Sequence, residues 1–240
     1  LVGNNLYNPN WGYQDGEVRN SRVVTAYDPT MILSHIWKID EKTSLTSGAL
    51  LHYGRYASSA LNWYNAEDPR PDYYRYLPSY YAMNATTTDQ YTYDYYYDLW
   101  KSNDTRVTQV NWDDMYKQNM NPENRRLNNG AALYMVEKRH SDLLEATVNS
   151  VFNKLYDNNS RLTAGVEARK SRSYQYKTVG DLLGADYVLD KDKFAERDNP
   201  GDDDIKQNDL MFPDRKAYVD DIFGYDFDID IQSVNAWVVN

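Results

Sequence analysis

The sequence predicts an all-β chain: part of a transmembrane antiparallel β-barrel, about five strands of it, with long, partly helical extracellular loops. Three observations carry that prediction. Apolar and polar residues alternate with period two in several runs, the periodicity of a strand with unlike faces. The connections between runs alternate short and long. Loops above about 12–15 residues are uncommon in a compact soluble domain, whereas outer-membrane barrels pair short periplasmic turns with long extracellular loops. Finally, the polar faces carry charges that suit a watery lumen better than lipid.

The first run covers 31–39. Met31, Leu33, Trp37 and Ile39 share a face with His35 among them, opposite Ile32, Ser34, Ile36 and Lys38. The polar link Asp40-Glu41-Lys42-Thr43 leads to the second run, 44–56, where Leu45, Ala49, Leu51 and Tyr53 oppose Thr46, Gly48, His52 and Gly54. A long loop, 57–141, follows. The third run, 142–155, sets Leu144, Ala146, Val148, Ser150 and Phe152 against Glu145, Thr147, Asn149 and Asn153. The short turn Tyr156 to Ser160 joins it to the fourth, 161–174, with Leu162, Ala164, Val166 and Ala168 against Thr163, Gly165, Glu167, Arg169 and Ser171. A second long loop, 175–225, precedes the fifth run, 226–239, where Phe227, Ile229 and Ile231 alternate with Asp226, Asp228 and Asp230. Arg or Lys facing mid-membrane lipid costs about 2–4 kcal/mol, so the charged faces, the aspartate ladder included, are expected on a lumen wall. A soluble β-sandwich also has half-apolar strands; the alternating connection lengths favour the barrel. Closed membrane barrels need at least about eight strands. The chain opens on Leu1-Val2-Gly3 and stops at Trp237-Val238-Val239-Asn240 within a strand pattern. It is therefore expected to be a single incomplete barrel fragment over 1–240, with its opening residues ending another long excursion.

Composition narrows the function. Asp+Glu number 36 against 26 Lys+Arg, a formal net charge of -10, and mean hydropathy is -0.83. An acidic balance argues against nucleic acid as partner, since phosphate binding needs a basic surface. Cysteine is absent, which removes disulfides, thiolate metal sites and cysteine nucleophiles. Aromatics make up 15% of residues, too many for a disordered chain. No catalytic residue, cofactor or metal site is read from the sequence. His35, His52 and His140 are scattered, no G-x-S-x-G elbow is present, and the acidic run Asp202-Asp203-Asp204 lacks EF-hand spacing and reads as a solvated turn. The sequons at Asn84, Asn103 and Asn158 matter only in a glycosylating source.

The tyrosines concentrate in one place. Of 24, thirteen fall between Tyr53 and Tyr97. Tyrosine supplies rigid contact area with a polar tip, and arginine between rings can stack on them. Trp63, Tyr64, Arg70, Tyr73, Tyr74, Arg75, Tyr76, Tyr95, Tyr96 and Trp100 are therefore the candidate ligand-binding set. The same belt also serves as a satellite core for a long loop, and the two roles are compatible. Asn111 to Lys117 reads as a helix capped by Asn111, and Gly130 to Arg139 as a second short helix.

Asn8-Pro9-Asn10-Trp11-Gly12-Tyr13, Leu33-Ser34-His35-Ile36-Trp37-Lys38, Ser59-Ala60-Leu61-Asn62-Trp63-Tyr64-Asn65-Ala66 followed by Asp68-Pro69-Arg70-Pro71-Asp72-Tyr73-Tyr74, and Phe223-Gly224-Tyr225 resemble segments of the large TonB-dependent receptors of gut-dwelling gram-negative bacteria. The likeness runs along nearly the whole chain. It implies a barrel of about 22 strands filled by a plug domain. It also implies a receptor and transporter of the bacterial cell outer membrane, which imports a scarce ligand with TonB energy and is no enzyme. Plug, TonB box and remaining strands are expected to be absent from this fragment. The implied partners are the TonB complex through that plug and box, outer-membrane lipid, a surface lipoprotein and an imported ligand of unknown identity. The family carries no shared ligand residues to transfer. The alternative is a secreted or surface β-protein that binds glycans through its Tyr/Trp-rich loop.

Overall fold

The computed structural model describes residues 6–82, 87–199, 201–202 and 204–240. The fold is mostly β, 50% strand and 19% helix, with antiparallel sheets. The helix lies in the long connections between strands, where partly helical loops were expected. Among the described residues the strands are β1 Trp11–Gln14, β2 Glu17–Asn20, β3 Val24–Tyr27, β4 Thr30–Lys38, β5 Thr43–Trp63, β6 Tyr134–Leu155, β7 Arg161–Asp181, β8 Val188–Leu189, β9 Lys216–Ala217 and β10 Ile222–Val239. The helices are α1 Pro78–Ala82, α2 Thr87–Lys101, α3 Thr105–Thr108, α4 Trp112–Met120, α5 Pro122–Leu127 and α6 Lys193–Asp198. The main sheet runs β10-β7-β6-β5-β3, with β4 also on β5. It is an open meander: among the described residues no closed barrel is found.

The long strands exceed the expected bounds. Against 44–56, 142–155 and 161–174, β5 continues to Trp63, β6 begins at Tyr134 and β7 continues to Asp181. The expected helix over Gly130 to Arg139 is corrected in the same way. Asn129 and Gly130 turn with positive φ (53° and 85°), and β6 starts four residues on. There Met135 enters one buried cluster while Tyr134 and Val136 enter another. Burial on both faces erases the alternation that marks a half-buried strand.

Two compact units divide the chain. The first comprises 1–23, 58–139 and 177–224. Its opening hairpin β1–β2 turns at Asp15-Gly16, both at positive φ, the two-residue turn that Asp-Gly favours. A Cβ on Gly12 would stand 1.9 Å from the Val110 carbonyl oxygen, so only glycine lets β1 approach that segment. One core packs Ala132, Met135, Val179, Leu182, Val188, Ala217 and Phe223. The other packs Val110, Trp112, Met115, Tyr134, Val136 and Leu183. α4 enters the second core with Trp112 and Met115. Asn111 caps it, accepting from the Asp114 N–H at 3.1 Å. Asn119, also buried, accepts from the N–H groups of Leu133 and Tyr134 at 2.9 and 3.1 Å. It donates to the carbonyls of Tyr134, Leu182 and Leu183 at 2.7, 3.0 and 3.1 Å. One amide thus ties α4 to the ends of β6 and β7.

The second unit comprises 24–57, 140–176 and 225–240. Here β4 faces β5 in a fixed register, Met31 opposite Leu51, Leu33 opposite Ala49 and Trp37 opposite Leu45. Asp28-Pro29 interrupts β3 and β4, since proline has no N–H for the ladder, and the Asp28 carboxylate meets His52 Nε2 at 2.5 Å. Side-chain pairs show which residues share a face. Ser47 and Ser150 hydroxyls lie 2.8 Å apart, so the Leu45–Leu51 face of β5 continues into Leu144, Ala146, Val148 and Phe152 of β6. His140 stacks on Tyr176 (4.3 Å, 3°), which extends that face to the even positions of β7: Leu162, Ala164, Val166 and Ala168. The Arg172–Asp228 ion pair extends it to the even positions of β10, Val234, Ala236 and Val238. This face is apolar along β4, β5 and β6, but on β7 the apolar run Leu162 to Ala168 gives way to Lys170 and Arg172, and on β10 Val234, Ala236 and Val238 follow Asp226, Asp228, Asp230 and Gln232. From Leu144 to Phe152 it spans about 26 Å along β6. His35 is its one titratable interruption on β4, opposite Ser47.

The opposite face is polar on the three central strands. Glu145 pairs with Arg169, and Thr163 donates to Asn153 at 3.0 Å. The edge strands differ, since β4 puts Ile32 and Ile36 there, and β10 puts Phe227, Ile229, Ile231 and Trp237. The aspartate ladder is thereby corrected. Asp226, Asp228 and Asp230 share the face of Tyr174, Arg172 and Lys170, where Arg172 pairs with Asp228 and also feels the Asp230 charge, and they do not join the Glu145–Arg169 wall. Alternation within β10 fixes parity, but only the pairing with β7 decides which side is which.

Removing the Asn119 amide should leave several buried backbone groups unpaired, each costing about 1–3 kcal/mol. Asn119→Ala is expected to lower stability by about 3 kcal/mol, read as a lower denaturant midpoint for Trp fluorescence. An unchanged midpoint would show that the amide ties nothing.

Candidate functional site

The candidate residues all fall in the first unit, and the structure sorts them into two groups. Tyr73, Tyr74 and Tyr76 surround a single 3-10 turn, Tyr74–Tyr76, placed between Pro71 and Pro78. Prolines on both sides bar a longer helix. Tyr73 meets Tyr74 and Tyr76 edge-on at 4.9 and 5.3 Å. Tyr74 meets Tyr80 at 5.4 Å and Tyr80 meets Tyr81 at 5.3 Å. Tyr81 stacks on Tyr96 of α2 (5.5 Å, 8°), and Tyr96 meets Tyr95 at 5.5 Å. Seven rings form one continuous chain. Such edge-to-face contacts add about 0.5–1.5 kcal/mol each beyond area burial, so this is first a packing device. Trp100 is wholly structural: it is buried, donates to the Tyr76 carbonyl at 3.3 Å and meets Tyr7 at 5.4 Å. Tyr74 and Tyr95 keep half their surface exposed. Arg75 extends over Tyr74, its Nε 3.0 Å from the hydroxyl oxygen. These three side chains are the part of the belt open to a ligand.

The second group gathers at the ends of β5, β6 and β7. Trp63 is half-buried, with the Arg70 guanidinium 5.0 Å and the Lys193 ammonium 4.0 Å from its ring centroid. Arg70 grips Asp68 through Nε (2.9 Å) and Nη2 (2.5 Å), the bidentate geometry that a planar guanidinium favours. Next along β5, Asn62 donates to the buried Glu137 carboxylate at 2.8 Å and accepts from Lys193 at 2.8 Å. Glu137 also holds Arg139 at 2.6 Å and Lys177 at 3.3 Å. A buried carboxylate is tolerated when paired and hydrogen-bonded, and here both oxygens are engaged. Tyr64 lies above this network, its hydroxyl 3.3 Å from Asn62. Burial, then the Glu137 charge, pushes its pKa well up. Burial likewise lowers the Lys193 ammonium.

Trp63, Tyr64 and Arg70 were legible as aromatic and arginine signals. Asn62, Glu137, Arg139, Lys177 and Lys193 were not, because they come from both long connections and three strands. Of the acidic run, Asp203 lies outside the described residues, and Asp202 accepts from the N–H groups of Asp204 and Ile205 at 3.2 and 3.3 Å. Among the described residues no three His, Cys, Asp or Glu side chains group to hold a metal ion. Asn84 also lies outside the described residues.

A second candidate surface belongs to the other unit. On the apolar face, an aromatic and charged row crosses neighbouring strands. Tyr27 meets Tyr53 at 6.4 Å, Arg55 pairs with Asp142 at 3.6 Å, and Tyr176 stacks between His140 and Tyr174, the latter at 4.5 Å. At the turn end, Lys154 lies 5.2 Å from the Tyr156 ring and Lys42 pairs with Asp157. Polar aromatic rims therefore bound the apolar band at both ends.

No family model, curated protein or solved structure matches the chain. No helix among the described residues is long and apolar enough to cross a membrane, which says nothing of crossing with strands.

Burial, with the Asp72 charge second, raises Tyr7 from 10.0 to about 12, and its hydroxyl donates to the Thr108 carbonyl at 2.9 Å. A raised acid pKa favours the neutral folded form, so this stabilisation is complete below pH 10 and lost as pH climbs to about 12. Alkaline titration should therefore show the buried tyrosines ionising after the exposed ones, with unfolding in that window. Tyr7→Phe should remove the Tyr7 part of the pH dependence. A single tyrosinate transition near the ordinary value would contradict it.

Proposed function

We propose that the chain forms part of the wall and surface loops of a TonB-dependent receptor of the bacterial outer membrane, a transporter that captures a scarce ligand for energised import. One observation carries the reading: the second unit presents an apolar face across consecutive antiparallel strands, rimmed by tyrosine, lysine and ion pairs. Lipid-facing barrel walls have an apolar band about 25 Å tall between aromatic girdles. The band here runs about 26 Å along its strand, which at a strand tilt of about 35–45° is about 18–21 Å of height, somewhat short of a full band. Lone leucines on a surface need no explanation, but a contiguous apolar face does. Ile32 is 68% and Leu33 69% exposed, so edge strand β4 shows apolar residues on both faces. The polar partners inside the band are satisfied locally, Ser47 by Ser150. Short turns at Ile39–Lys42 and Tyr156–Ser160, against long folded connections at the other strand ends, support the same reading. Energy coupling through a plug and a TonB box follows from the resemblance alone and rests on no residue of this chain.

In this account the first unit supplies ligand capture, through Tyr74, Arg75 and Tyr95 and through the Trp63 group. The exposed rings also favour a second reading, a surface β-protein that binds glycan. Oligosaccharide binding by a soluble, monomeric chain with no affinity for lipid would select it.

The two faces make opposite demands. Val148→Arg puts a charge on the apolar face and should weaken lipid association by about 2–4 kcal/mol, whereas Thr147→Arg on the polar face should be tolerated. Flotation with phospholipid vesicles reads both. Equal flotation of the two variants would count against the membrane reading.

A further inference from the structure

We propose that the cations around Trp63 form a binding site for the oxyanion of a ligand, a carboxylate or a phosphate, with Lys193 and Arg70 as its direct donors. This gives the ligand-capture part of the proposed function a chemistry, and to that extent rests on it. Four cations meet here: Arg70, Arg139, Lys177 and Lys193. Two carboxylates pair with them, Asp68 and Glu137, both committed beneath the surface, their side chains 6% and 2% exposed, and Asp72 adds its charge near Arg70, three negative charges against four positive. Asp68 is taken by Arg70, and Glu137 by Arg139, Lys177 and Asn62. The site keeps a surplus of positive charge in a protein whose formal net charge is -10.

Lys193 is the unusual member. It is half-buried, yet among the described residues no carboxylate pairs with it. Its contacts are the Asn62 amide oxygen and the rings of Trp63 and Phe194, the latter at 5.5 Å. Cation–π contact and one neutral acceptor offset desolvation of an ammonium only in part. An ammonium has three donors, so a bound oxyanion would find donors left for it. The Arg70 and Arg139 side chains remain 51% and 55% exposed, which leaves the cluster open to solute. Asp68 uses the Nε and Nη2 side of the Arg70 fork, so its other amino group can still donate. The half-buried Trp63 ring offers a flat apolar surface beside the charge. Such a site selects a ligand that joins an oxyanion to a planar or apolar body.

The test is calorimetric titration of the full chain, folded in detergent, with inorganic phosphate and with succinate at low ionic strength, where screening is weakest. Saturable binding of at least one is expected, and the preferred anion identifies phosphate or carboxylate chemistry. Lys193→Met should weaken it by about tenfold or more, while Lys193→Arg stays within about threefold of the native chain. If Lys193→Met fails to fold by far-ultraviolet dichroism, Arg70→Gln carries the same expectation. Absence of saturable binding of either anion, or native affinity in the charge-removing variant that folds, overturns the proposal. Vesicle flotation on the same samples separates the two readings. Intact flotation without anion binding rejects the site alone, and anion binding without flotation rejects the membrane role alone.

Discussion

The register of the ladder between β5 and its neighbours is the constraint on which the other features depend. A strand has period two, so one residue of slip would move every side chain to the other face. With Met31 opposite Leu51 and Ser47 beside Ser150, the apolar residues of separate strands converge on one side. In the first unit the same parity brings Asn62, Glu137 and Lys177 from three adjacent strands into one network. Hydrogen bonding of the ladder is indifferent to which residues it aligns; burial and charge pairing choose the register.

The two units solve the problem of apolar surface differently. The first covers both faces of its strand ends with its own loops. Met135 and Val179 enter one core, Tyr134 and Val136 the other, and short helices capped by Asp104, Asn111, Asn121 and Asp192 fold around them. The tyrosine chain from Tyr76 to Tyr95 gives a long connection its own packing, as loops without regular structure require. The second unit leaves its apolar face uncovered. At roughly 25 cal/mol per Å², such a face is costly in water and nearly neutral against hydrocarbon, which is the physical support for the proposal that it meets lipid.

The middle of each long strand was legible because it is half-buried, and half-burial writes alternation into the sequence. The ends were not. Around Tyr134–Glu137 four buried residues in succession read as a helix, and only pairing with β5 and β7 makes them a strand. The hairpin β1–β2 was missed although Asp15-Gly16 signals it, because the flanking strands are four residues each. Asn111 was readable as a cap because capping is local. That the aspartates of β10 lie beside Arg172 and Tyr174 and apart from Glu145 and Arg169 was not legible, because parity is local and pairing is not. The tyrosine belt was visible by count, but its division into packing rings, buried Trp100 and exposed Tyr74 and Tyr95 depends on folding. Glu137 and Lys193 are separated too far in sequence for any pattern to join them.

The most direct measurement of the central claim exploits the absence of native cysteine. Single cysteines at consecutive positions of β6, from Leu144→Cys to Phe152→Cys, would be labelled with a water-soluble maleimide in the lipid-reconstituted chain. The account predicts a two-residue rhythm: Leu144, Ala146, Val148, Ser150 and Phe152 protected, with Glu145, Thr147, Asn149 and Val151 labelled. Uniform labelling of both sets in the presence of lipid would contradict it.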